Sequence, residues 1–104
     1  MTNLLANLPD ARTSEVFTEL LARPGARIER IVSRGQSTPE DAPMVQDWDE
    51  WVLLLEGAAG LRIEGADDLT LTPGDHAFIA AGQKHWVTWT PGDRATVWLA
   101  VHLG

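Results

Sequence analysis

A chain of 104 residues suits one domain with one core, and 44% hydrophobic with 22% charged residues is an ordinary globular composition. Fifteen acidic against eight basic residues give a net charge of -7, which repels phosphate backbones and argues against nucleic-acid binding. With no cysteine there is no disulfide framework and no thiolate chemistry, and no apolar run nears the roughly 20 residues needed to span a bilayer.

The first stretch, MTNLLANLPDART, lacks a basic start and a long apolar run, so a cytoplasmic protein with no membrane partner is expected. Leu4, Leu5 and Leu8 form a short apolar ridge ended by Pro9. Ser14 is a candidate helix start with Glu15 in its first turn. Val16, Phe17, Leu20 and Leu21 fall on one helical face before Arg23-Pro24-Gly25 stops the segment. The reading is a short helical or extended piece over residues 1–25, packed on a β-barrel formed by residues 26–104.

From residue 26 the pattern becomes that of strands. Arg27–Val32 is a charged strand. Gly35–Pro43 is a loop rich in turn formers. Glu50–Glu56 is a continuous apolar run bounded by acidic residues and Gly57, the mark of a strand buried on both faces. Leu61–Glu64 and Leu69–Thr72 alternate, His76–Ala80 and His85–Thr90 follow, and Thr96–Leu103 closes the chain. Turns at Gly57, Gly65, Gly74, Gly82 and Gly92 recur at intervals of 8, 9, 8 and 10 residues, a strand rhythm that argues for an all-β sandwich or barrel. Glu50–Glu56 and Thr96–Leu103 are apolar on both faces, whereas a small barrel has one inside. Their outer faces, with Trp51, Leu53 and Trp86, need cover, so a homodimer is expected.

Two spacings carry a resemblance. Glu50 is followed by WVLLLE and Gly57, which has the form E-x6-G. Gly74 is followed by DHAFI, then Ala80, Gly82 and His85, which has the form G-x5-P-x-G-x2-H-x3-N with Ala80 for proline and Trp89 for asparagine. Together with RIERIVSRGQ and VWLAVHL, these resemble the small single-domain cupins over about three quarters of the chain, from Ile28 onward. The resemblance implies an all-β, cupin-type jelly-roll barrel (a double-stranded β-helix), here with the short N-terminal helical segment. Cupins of the common type hold a divalent metal with three histidines and one glutamate. Two of the motif's histidine positions are Met44 and Gln46 here, so only Glu50 and His85 carry over as ligands.

Glu50 taken alone reads as a solvated rim carboxylate or as a group aimed into a cavity, and the motif spacing favours the cavity. Alternation would then place Gln46, Trp48 and Val52 on its side, and Val87 and Trp89 on the side of His85. His102 shares a face with Trp98 and Ala100, and both a cavity position and a backbone-capped position are open to it. His76 reads as a surface residue, Asp75 as a partner of its own turn, Asp47 and Asp49 as solvated, and Asp67-Asp68 as part of a hairpin turn.

Three functions follow. The first is a metal-dependent enzyme of oxygenase, lyase or isomerase type, with Mn, Fe, Ni or Zn on Gln46, Glu50, His85 and His102 and a small polar substrate. The second is a metal-free isomerase using Glu50 and His85 as a catalytic acid–base pair in a pocket lined by Trp48, Val52, Val87, Trp89 and Trp98. The third is a small-molecule binding or sensing module.

Overall fold

The computed structural model describes residues 3–104 as eight strands: β1 (Val16–Arg23), β2 (Ala26–Ser33), β3 (Asp49–Glu56), β4 (Ala59–Ile63), β5 (Leu69–Leu71), β6 (His76–Ile79), β7 (His85–Trp89) and β8 (Thr96–Leu103). They form two antiparallel sheets, ordered β1-β2-β8-β3-β6 and β5-β4-β7. Inward residues of both sheets meet in one core. Val52, Leu54, Ile79, Trp98 and Ala100 come from the larger sheet, and Ala59, Leu61, Ile63 and Leu71 from the smaller. The last strand joins β2 to β3 at the middle of the larger sheet, with its inward Trp98 and Ala100 buried and its outward Leu99 and Val101 half-buried.

The N-terminal segment departs from expectation. The described residues contain no helix, and Val16–Arg23 is a strand. Pro24-Gly25 does not stop a helix. It turns the chain into a hairpin, with Gly25 at φ 79° and Arg23 opposite Ala26. The i, i+3, i+4 spacing of Val16, Phe17, Leu20 and Leu21 arises because a register shift between Glu19 and Leu21 breaks a strand's alternation. Ahead of β1 the chain crosses the outside of the sheet, where the Arg30 guanidinium donates to the carbonyl of Leu4 at 3.1 Å.

The loop Gly35–Pro43 and the residues after it lace onto β7 instead of standing free. Thr38 N–H donates to Val87 O, Met44 exchanges both backbone bonds with His85, and Gly82 N–H donates to Gln46 O at 2.7 Å. This seam joins the two sheets along one side. Asp75 accepts from Thr72 N–H within its own turn, as expected. Asp49 is not merely solvated, because it accepts from Ala81 N–H at 2.9 Å. Asp68 forms a two-point pair with Arg62 across the hairpin, which lowers its pKa. No helix in the described residues is long and apolar enough to cross a membrane.

Gly57 shows why one glycine of the motif is fixed. It sits at φ 87°, and a Cβ there would lie 2.6 Å from Ala95 O and 2.8 Å from Thr96 Cα. Both obstacles are backbone and cannot swing away. Gly65 has nearly the same φ, 85°, but open space around it. Gly57→Ala should therefore lose about 2–4 kcal/mol, combining left-handed strain with overpacking, whereas Gly65→Ala should lose only about 1–2 kcal/mol from strain. Thermal denaturation of the two variants checks this, and equal losses would contradict the steric argument.

Candidate functional site

Inward positions at one end of the larger sheet are polar. Glu50 on β3 lies opposite His102 on β8, and Glu29 on β2 lies two positions along from Arg27, the residue facing His102. Together with His85 on β7 and Gln46 from the seam loop, they surround a cavity of about 90 Å³. A single water needs ~10–15 Å³ by this measure, so there is room for a small ligand. Its apolar wall includes Val52, Leu61, Ile79, Val87 and Trp98.

Glu50 and His85 are brought together. Their side chains are 5% and 2% exposed, and Glu50 Oε1 stands 3.8 Å from His85 Nε2. That is beyond a hydrogen bond, and a ligand atom that meets both groups would sit to one side of the line between them, in the cavity. His85 Nδ1 faces Gln83 O at 3.3 Å, which places a proton on Nδ1 and turns Nε2 toward the cavity. Glu50 Oε1 and Gln46 Oε1 are buried with no partner among the described residues. Buried acceptors are ordinarily satisfied, so two orphans in one cavity mark a place where a donor or a cation belongs.

His102 also reaches the cavity, but both of its nitrogens are engaged. Trp48 Nε1 donates to Nδ1 at 2.8 Å. Indole N–H can only donate, so Nδ1 accepts and the ring proton sits on Nε2. Nε2 then donates to Glu29 Oε1, also at 2.8 Å. Arg27 lies over the Trp48 ring, 5.2 Å from its centroid. His102 is thus the middle of a chain from Trp48 to Glu29 and offers no free lone pair.

Two expected wall residues lie elsewhere. Trp48 precedes β3, so the strand's alternation does not govern it, and it lines a neighbouring surface cleft with Arg27 and Gly104. Trp89 is 42% exposed. A register shift places Gly60 opposite Trp89 and Leu61 opposite Val87, so Thr88 is the extra residue and the inward parity of His85 and Val87 ends there. The Trp89 indole packs across Gly60, where a Cβ would strike it. Val52, Val87 and Trp98 do line the cavity.

Sequence reading passed over Glu15, Phe17, Glu29 and Ile31, which also line it. The signal for the last two was their i, i+2 spacing in RIERI. For Glu15 and Phe17 it was hidden by the helical reading. Glu15 accepts from Ser33 Oγ at 2.5 Å.

The donor set bears on a metal. Glu50 and His85 stand close enough to share an ion and Gln46 lines the same cavity, but no three His, Cys, Asp or Glu side chains gather as ligands among the described residues. The residues therefore fit an ion held by two strong ligands and an amide, and not the four-ligand centre that His102 would complete.

The Trp48–His102–Glu29 chain makes a spectroscopic prediction. Long-range ¹H–¹⁵N spectra should show His102 as the Nε2–H tautomer. Trp48→Phe removes the donor to Nδ1 and should produce a tautomer mixture, with a loss of about 1 kcal/mol in stability. An unchanged His102 spectrum in that variant would contradict the assignment.

Comparison with known proteins agrees with the fold. A family model described as Cupin domain matches residues 30–102. A proposed mannose-6-phosphate isomerase from Ralstonia eutropha JMP134 is 41% identical over 99% of this chain and 96% of its own, with a TM-score of 0.94. An RmlC-like cupin family protein with a double-stranded β-helix fold from Methanocaldococcus jannaschii is 19% identical, over 90% of this chain and 83% of its own, with a TM-score of 0.71. The DMSP lyase DddQ from Ruegeria pomeroyi DSS-3 is 20% identical over all of this chain but 54% of its own, with a TM-score of 0.75. No curated protein matches. With the family model covering most of its length and its strands wound as an all-β double-stranded β-helix, the chain belongs to the cupin domain family.

Proposed function

We propose that this cupin binds a small carbonyl compound in its barrel and moves a proton on it, with Glu50 and His85 as the acid–base pair. The observation that carries the reading is the unpartnered, buried Glu50 Oε1 placed 3.8 Å from His85 Nε2. Glu50 is the base, and His85, with its lone pair on Nε2, is the proton carrier. On an α-hydroxy carbonyl compound, Glu50 takes the proton from the carbon that bears the hydroxyl, and His85 Nε2 takes the hydroxyl proton and delivers it to the carbonyl oxygen. The Glu50 carboxylic acid then returns its proton to the neighbouring carbon, which is an isomerisation. Val52, Leu61, Ile79 and Val87 form the apolar wall beside the pair.

The name of the Ralstonia relative supports an isomerase chemistry of this kind. Its phosphate finds no counterpart, since no Lys or Arg lines the cavity.

A second reading is favoured by the two orphan acceptors. A divalent ion would be held by Glu50, His85 and Gln46. It would supply Lewis acidity toward a substrate oxygen.

Deuterium wash-in from D₂O separates the readings. The tag-free protein, stripped of metal, should label a panel of small α-hydroxy and α-amino ketones more readily than mannose 6-phosphate. Glu50→Gln should slow labelling by about 10²–10⁴-fold, the range of general-base removal. Labelling that needs a stoichiometric metal would establish the second reading. Labelling at wild-type rate in Glu50→Gln, or none at all, would overturn the first.

The outer face of the larger sheet supports a homodimer. Trp51, Leu53, Leu99 and Val101 are half-buried there, and Phe78 beside them is 55% exposed. A contiguous apolar face of this kind is the composition of a partner surface. Trp86 is less bare than expected, because its indole N–H donates to Glu40 O. Light scattering should give twice the chain mass, and Leu53→Arg should give a folded monomer. A monomeric wild-type protein would remove the proposal.

A further inference from the structure

We infer that the barrel cavity selects a small organic cation bearing N–H donors, a primary ammonium compound, and rejects phosphate and carboxylate ligands. The inference rests on the reading of this cavity as a ligand site. Three carboxylates, Glu15, Glu29 and Glu50, line it. Ser33 Oγ–H bonds Glu15 and the His102 Nε2–H bonds Glu29. Both donors are neutral, so they orient the carboxylates without cancelling their charge. Glu50, 95% buried, keeps one oxygen without any partner, and Gln46 Oε1 is likewise open.

The positions of the protons sharpen this. Trp48 fixes His102 in the tautomer that spends its only N–H on Glu29. His85 spends its Nδ1–H on Gln83 O and turns a lone pair inward. The unpartnered atoms turned toward a ligand, Glu50 Oε1, Gln46 Oε1 and His85 Nε2, are therefore acceptors. An ammonium group carries three donors and a positive charge, and so answers all three. An anion would meet like charge in a cavity shielded from water, where repulsion is stronger than at a surface.

The test is an NMR titration of metal-free, ¹⁵N-labelled protein with probes of one shape: propylammonium, propan-1-ol and propionate, with inorganic phosphate alongside. Propylammonium at millimolar concentrations should move the Gln46 side-chain amide and Trp98 indole signals. The other three should leave them in place. Glu50→Gln should weaken the response about tenfold, the loss expected for a charged hydrogen bond. Glu15→Gln serves in its place if that variant loses the wild-type spectral dispersion. Equal or stronger response to propanol, propionate or phosphate would overturn the charge selectivity and leave the ligand site standing. No response to any probe would overturn both.

Discussion

A carboxylate taken out of water must find a donor or a cation, and at Glu50 one oxygen finds neither. That oxygen organises the rest of the site. Glu50 lies on β3 between β8 and β6, so its side chain is committed to the barrel interior by the same alternation that buries Val52 and Leu54. A fold that retains such a group in its interior supports it from all sides. Val52 and Ile79 pack beneath it, and His85 arrives from the opposite sheet.

The two inward histidines have the same side chain and opposite roles. The distinction comes from the partner of Nδ1. At His85 it is a carbonyl, which fixes the proton on Nδ1 and leaves Nε2 as an acceptor. At His102 it is an indole N–H, which fixes the proton on Nε2 and makes that nitrogen a donor to Glu29. One histidine can act on a ligand, and the other holds a carboxylate in place. Loss of the familiar ligand histidines at Met44 and Gln46 thus goes with a rearranged polar network rather than an empty one. Met44 still contributes, through backbone bonds that set the position of His85.

Small irregularities in the ladders decide what faces the cavity. The extra residue at Thr88 turns Trp89 outward and keeps the inner wall to Val87. The shift near Leu20 hides a strand's period in β1 behind a helix-like one. Both are insertions of one residue, and each reverses the face of everything beyond it on its strand.

The sequence by itself determined the strands from Arg27 onward, the apolar character of both faces of β3 and β8, and the family spacing that marks Glu50 and His85. These are legible because apolar periodicity and turn glycines are local properties of the chain. Gly57 belongs with them as a turn glycine, but the Ala95 and Thr96 backbone that leaves no room for a Cβ there comes from the tertiary structure. Only the tertiary structure decided that Gln46 enters the cavity from a loop, that Trp48 leaves it, and that His102 is committed to Glu29. Those outcomes depend on contacts between residues 36 to 73 positions apart and on which ring nitrogen each neighbour reaches. No local pattern encodes the direction of a hydrogen bond made by a distant strand.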